Sequence, residues 1–254
     1  MEKIKISAVS YLNTVPFIYG IEKNKILSQK IELSKDIPSE CARKLLQNEV
    51  DLGLVPIAAI TELKHYHILS DYCIGASGKV KSVLLVSDVP LSQVQSIYLD
   101  YQSKTSVKLC QILCEEYWKI KPKFRESTDG YEKHIHNKTA GVIIGDRTFH
   151  LPKTYNYTYD LSEEWMKWQK LPFVFAAWVS NKKLSSEFIK EFNLALRFGI
   201  ENKEDSLQLY KQPNFSLKQQ KEYINQYIDY EFDAKKKEAL ALFLEKIKKV
   251  RTVV

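Results

Sequence analysis

The opening run Lys3-Ile4-Lys5-Ile6-Ser7-Ala8-Val9 alternates polar and apolar residues, the period of a β-strand with one buried face. Pro16 suits the first turn of a helix, where a missing N–H costs nothing, so a helix is expected from about residue 16. Lys30 to Leu33 predicts a short second strand. Pro38-Ser39 opens a helix whose apolar positions Cys41, Ala42, Leu45 and Leu46 fall at helical spacing. Asp51 to Val55 is a short apolar strand broken by Pro56, and Ile57 to Leu63 reads as a further helix. His67 to Ile74 and Lys81 to Ser87 read as strands joined by Gly75-Ala76-Ser77-Gly78-Lys79. Alternating β and α elements predict a mainly parallel sheet covered by helices.

Asp88-Val89-Pro90 interrupts this alternation, and a second series follows. Ser96 to Asp100 is an expected strand, Ser103 starts a helix running to about Trp118, and Lys123-Phe124 suggests a strand. Ala140 to Ile144 is another strand, ending at Gly145-Asp146. A Trp-rich helix around Trp165 and Trp168 precedes the apolar strand Phe173 to Ser180. The remainder is helical: Phe188 to Phe198, Leu217 to Ile228 and Ala234 to Val250, with Pro213-Asn214 between the first two and Asp233 a suitable cap for the last. The expected fold class is α/β with two lobes and mixed, mainly parallel sheets. Lobe one comprises 1–88 and 177–254, and lobe two, 89–176, is inserted. Two crossovers make a hinge, and the cleft between the lobes is the expected small-molecule site.

Composition fits this picture. The chain has 254 residues, 44% hydrophobic and 27% charged, which excludes a disordered or fibrous protein and allows two cores. The apolar runs Val83 to Val86 and Phe173 to Val179 are too short to span a bilayer. Met1-Glu2-Lys3 lacks the basic-then-apolar layout of a signal peptide, so a cytoplasmic location and no membrane partner are expected. The net charge is +7, but the lysines are spread out and no nucleic-acid motif accompanies them. Lys235-Lys236-Lys237 and Lys246 to Arg251 read as solvated helical faces. Cys41, Cys73, Cys110 and Cys114 have no zinc or redox spacing and read as buried small residues. His65 and His67, and His134 and His136, are pairs without a third ligand, so surface histidines are favoured over a metal site.

Candidate chemistry lies in the loops at strand ends. Ser10, Asn13 and Thr14 follow the first strand, where open α/β sheets bind ligands, although Asn and Thr also serve caps and turns. Leu99-Asp100-Tyr101-Gln102-Ser103-Lys104-Thr105-Ser106 places three hydroxyls in the first turn of a helix, where the helix dipole favours a carboxylate or phosphate. Ser103 is equally suited to a simple N-cap. Gly145-Asp146 ends an apolar strand and is a second candidate anion loop; Asp146 is either a base or a cap. Ser82, after Gly78-Lys79-Val80-Lys81, could donate to a substrate oxygen. Phe173 either lines a wall of the cleft or packs in the core. Hydrolase, kinase and dehydrogenase readings lack their glycine-rich or nucleophile motifs.

A set of motifs occurs in order: Ser10-Tyr11-Leu12-Asn13-Thr14-x-Pro16-Phe17, Asp51-x-Gly53-Leu54-Val55-Pro56, Ser70-Asp71-Tyr72-Cys73-Ile74, Gly78-x-Val80-x-Ser82-Val83, Leu99-Asp100-x-x-Ser103-x-Thr105-Ser106, Gly145-Asp146, and Tyr159-Asp160-Leu161 through Trp165 to Ala176. Over about residues 4–180 this resembles the chorismate dehydratase family of the futalosine route to menaquinone. Lys104 stands where an Arg is expected, which keeps the charge and loses a bidentate fork. The resemblance implies a type II periplasmic-binding-protein-like fold and a hydro-lyase that removes water from chorismate. It implies catalytic roles for Asn13 and Ser82. It implies a site for the substrate dicarboxylate drawn from Ser10, Thr14, Pro56, Ser103, Thr105, Ser106, Gly145, Asp146 and Phe173. No metal or organic cofactor is called for. Two alternatives share the fold: a solute-binding protein for a small carboxylate, and the dihydroxynaphthoate-forming enzyme of the same pathway.

Overall fold

The structure is a computed structural model that describes residues 3–210 and 216–249. The alternating opening run forms β1 (Ile4–Val9), and a 3₁₀ turn at Leu12–Thr14 leads into α1 (Val15–Lys23) with Pro16 in its first turn. There follow α2 (Lys25–Lys30), β2 (Ile31–Asp36), α3 (Pro38–Leu46), β3 (Leu52–Pro56) and β4 (His67–Ala76). Next come β5 (Val83–Ser87), β6 (Ser96–Leu99), α4 (Lys104–Ile112), β7 (Lys123–Glu126), β8 (Thr139–Ile144), β9 (Tyr157–Asp160), α5 (Leu161–Gln169) and β10 (Phe173–Ser180). The chain ends through α6 (Ser186–Glu201), α7 (Lys203–Leu209), α8 (Leu217–Glu222), β11 (Asp229–Glu231) and α9 (Ala234–Lys249). The expected break at Pro213-Asn214, and the ends of the last helix and of its basic run at 250 and 251, lie outside the described residues.

The elements fall into two compact units. The first takes Met1–Gly75 and Val174–Asp233; the second takes Ala76–Phe173 and Ala234–Val254. The first is built on a six-stranded sheet of order β11-β4-β10-β3-β1-β2, and the second on a five-stranded sheet of order β7-β6-β8-β5-β9. Both sheets are mixed, as the expected fold class has it, with more antiparallel pairing than the alternation of strands and helices suggests. β1 is parallel to β2 and β3, but β10 runs antiparallel to β3 and β11 antiparallel to β4. β6 is parallel to β7 and β8, but β5 is antiparallel to β8 and β9. An apolar run buried on both faces reads the same in either direction, so the sequence does not reveal strand sense.

The divisions differ from those expected. β5 belongs to the second sheet, so the chain passes from the first unit to the second at Gly75/Ala76 rather than at Asp88-Val89-Pro90. It returns at Phe173/Val174 rather than near 177. α9 belongs to the second unit, because Phe243 packs edge-on against Trp165 and Phe173 (ring centroids 5.9 and 4.9 Å). Ile57–Glu62 is a 3₁₀ run, and the expected long helices from Ser103 and Leu217 each finish in a π-helical turn, Leu113–Tyr117 and Tyr223–Tyr227. α2, α7, β9 and β11 have no counterpart in the expected order of elements.

The first core places Trp178 between Phe17 and Phe192, with Tyr230 edge-on to Phe17. All four cysteines are buried. His65, His134 and His136 are exposed and His67 is half-buried. Among the described residues no helix is long and apolar enough to cross a membrane.

Candidate active site

In the first unit the candidate residues collect at the carboxyl ends of the parallel strands β1 and β3. Ser10, directly after β1, is exposed, and its backbone N–H donates to the Asp36 carbonyl at the end of β2 (2.9 Å). Asn13 and Thr14 are buried in the 3₁₀ turn that joins β1 to α1. The Asn13 amide is held on both sides: Thr14 Oγ1 donates to its Oδ1 (3.2 Å), and its Nδ2 donates to Tyr223 Oη (3.3 Å). Tyr230 Oη donates to the Asn13 carbonyl (2.9 Å). Burial pushes the Tyr230 phenol well above its ordinary pKa, so it remains a donor. Pro56 is buried at the end of β3, opposite Ala176 of β10.

In the second unit, strand sense gathers four loops at one edge of the sheet. β6, β8 and β9 finish there, and β5, running antiparallel, begins there. Ser82 precedes β5, Asp100 to Ser106 follow β6, Gly145-Asp146 follow β8, and Asp160 closes β9. Gly145 takes a left-handed φ of 65° that favours glycine, and its N–H donates to the Ser82 carbonyl (2.9 Å). Ser82 is buried and Asp146 half-buried. At the start of α4, Ser103 Oγ accepts from the Ser106 N–H (3.3 Å) and lies 3.2 Å from Ser106 Oγ. The N-cap reading of Ser103 is therefore realised; Thr105 and Ser106 are buried in the same turn.

Asp100 ties these loops together. Its carboxylate accepts from Arg147 Nη2 (2.5 Å), Tyr131 Oη (2.9 Å), the Ile144 N–H (3.1 Å) and the Gln102 N–H (2.9 Å). Burial pushes this carboxyl up, opposed by the Arg147 charge and the hydrogen bonds. Burial also works against the Arg147 charge, but Asp100 outweighs it and holds the guanidinium firmly protonated. Arg147 bonds Glu132 as well (2.7 Å). Arg147 is thus engaged by two carboxylates, Asp100 and Glu132, and braces the loops rather than presenting a charge; what this end of the sheet offers a carboxylate ligand is the start of α4 with its hydroxyls. Phe173 lies elsewhere: its ring is 1% exposed, enclosed by Trp165 and Phe243, so the core reading of this residue describes its surroundings.

The first-unit group and the second-unit group are each brought together from distant sequence, as their strand-end positions require. Tyr223, Tyr230, Tyr131 and Arg147 belong to these groups without any signal in the sequence. Each is a polar residue whose partner in the group lies between 31 and 217 positions away. A family model described as menaquinone biosynthesis matches residues 4–249. The chain belongs to this family. It is 24% identical over 253 residues to the chorismate dehydratase of Campylobacter jejuni, covering 94% of this chain and 96% of that protein. It is 30% identical over 168 residues to the chorismate dehydratase of Thermus thermophilus, a match that spans 58% of this chain and 60% of that protein. Among solved structures it is similar to a protein from Archaeoglobus fulgidus (TM-score 0.77, 18% identity, 99% and 98% of the two chains). It is also similar to the periplasmic aliphatic sulphonate binding protein of Escherichia coli (TM-score 0.61, 14% identity, 98% and 86%). At these identities the structures speak for the fold alone, which is that of periplasmic binding proteins.

Proposed function

We propose that this protein is a chorismate dehydratase, a hydro-lyase that converts chorismate to 3-[(1-carboxyvinyl)oxy]benzoate and water. The reading is carried by the relationship to the Campylobacter jejuni enzyme along 94% of the chain. The anchored Asn13 and the strand-end loops of the second unit, with the hydroxyl-bearing start of α4, support it.

The substrate is a dianion. The Ser103–Ser106 turn and the Gly145-Asp146 loop are the candidates for a carboxylate; Ser10 and Thr14, beside Asn13, and Pro56, at the end of β3, complete the proposed binding set. Phe173 is left out of it, because its ring packs edge-on against Trp165 and Phe243 in the aromatic core of the second unit. The ring carbon bearing the ether loses its proton, the neighbouring carbon loses its hydroxyl, and the two leave as water. The remaining electron pair closes the aromatic ring. Aromatisation supplies the driving force, so the protein need only position the reacting groups and assist hydroxide departure. Asn13 and Ser82 orient those groups and hydrogen-bond the departing oxygen. Neither is a base near neutral pH, and the substrate's side-chain carboxylate takes the proton first.

The test is chorismate mixed with purified protein, followed by mass and ultraviolet absorption. Loss of one water with growth of an aromatic product is expected. Asn13→Ala and Ser82→Ala each lower kcat by about 100-fold, the size of a lost transition-state hydrogen bond. Wild-type turnover in both variants overturns their assignment. Tight binding of chorismate without turnover instead indicates a solute-binding protein.

A further inference from the structure

Asp160 is the residue in which two structural tasks meet at the candidate site. It is the N-cap of α5, with Oδ1 accepting from the N–H groups of Ser162 (3.1 Å) and Glu163 (3.2 Å). Its other oxygen reaches sideways and accepts from the N–H groups of Val80 (2.9 Å) and Lys81 (2.7 Å). All four donors are backbone, and the residue is buried. β9 pairs with β5 so that Asp160 stands opposite Leu84, two residues beyond Ser82. An ordinary N-cap needs only the first pair of bonds.

The second pair acts on a segment whose conformation is costly. Lys81 has a left-handed φ of 60°, a region that a residue with a Cβ holds only where its surroundings impose it. Ser82 follows directly, and its carbonyl is fastened on the far side by the Gly145 N–H (2.9 Å). The backbone around Ser82 is therefore fixed by Asp160 before it and by Gly145 after it.

We infer that Asp160 is a positioning residue for the dehydration, holding the 80–82 segment so that Ser82 sits where it meets the substrate. This rests on the dehydratase reading above and on the role given there to Ser82. The carboxylate touches neither substrate nor reacting atoms; it acts through the loop.

Two variants separate the loop clamp from the helix cap. Asp160→Asn keeps an oxygen for the cap and turns an amide NH₂, a donor, towards two N–H donors. Asp160→Ser caps a helix well but is too short to reach Val80 and Lys81. The expected result is a folded protein in both cases, with kcat reduced about 30- to 100-fold and KM for chorismate within about threefold of wild type, as for a misplaced catalytic group. Folded variants with wild-type kcat overturn the inference, and so does failure of both to fold, which makes Asp160 structural only. Full turnover in Ser82→Ala overturns it as well, since there is then no reacting group to hold. A wild type that leaves chorismate unchanged defeats the dehydratase reading itself, and an active wild type separates the two failures.

Discussion

Asp36 illustrates how a single carboxylate organises its neighbourhood. Ser7 Oγ and Ser34 Oγ donate to it at 2.8 and 2.7 Å, and Lys44 Nζ lies 2.7 Å from both oxygens. Burial alone would raise its pKa, but the Lys44 hydrogen bond and charge and the two hydroxyls outweigh it and hold the carboxyl below the usual 3.8. A carboxyl with a lowered folded-state pKa stabilises fully above its unfolded value and loses that contribution as pH falls through the folded value. The Tm advantage of wild type over Asp36→Asn is therefore expected to be full at neutral pH and to shrink below about pH 4. An advantage that grows on acidification would contradict the assignment. The types of these side chains are plain in the sequence, as they are for Asn13 and Ser82. Their partners are not: Asn13 is separated from Tyr223 by 210 residues and from Tyr230 by 217.

Helices α1 and α6 meet through glycine. A Cβ on Gly20 would run into the Ala195 carbonyl, and one on Gly199 into the Pro16 carbonyl. Both obstacles are backbone of the opposite helix, which cannot swing aside as a side chain does. Helix propensity taken alone predicts that Gly→Ala in either helix stabilises by about 1 kcal/mol. The close crossing predicts the opposite sign: Gly20→Ala and Gly199→Ala each destabilise by about 1–3 kcal/mol, the usual cost of overpacking. Urea unfolding decides between them, and a gain in stability from either substitution would refute the crossing. The helices were legible from their apolar spacing and the proline at residue 16. Their contact was not, because spacing says which face is buried and not against what.

α9 completes the second unit. Phe243 packs edge-on against both Trp165 and Phe173, Lys246 pairs with Glu116 (2.5 Å), and the same ammonium sits 4.3 Å from the centre of the Trp168 ring. A chain ended after Asp233 therefore uncovers a core of large aromatic rings. It is expected to lose near-ultraviolet circular dichroism, to shift tryptophan emission to the red and to lose turnover of chorismate. Unchanged emission and Tm would mean that the second unit stands without its last helix. As an isolated segment, the basic run of this helix reads as a solvated face, and Lys246 shows why that reading falls short: its stem and charge are used against Glu116 and Trp168.

The longer strands and helices in their order, the α/β class, and the strand-end loops that carry Ser10, Asn13, Ser82 and Ser103 to Ser106 follow from local rules: period, proline placement and capping chemistry act within a few residues. The motif series Ser10 to Ala176 also pointed to the family to which the chain belongs. Strand sense, the transfer of β5 and α9 to the second unit, the short β9 and β11, and the partners of Asp100, Asp160 and Asn13 do not follow from such rules. Each depends on pairing between segments far apart in the chain. A buried apolar strand serves equally well in either direction, and a polar residue reveals its role only once packing has brought its partner within about 3 Å.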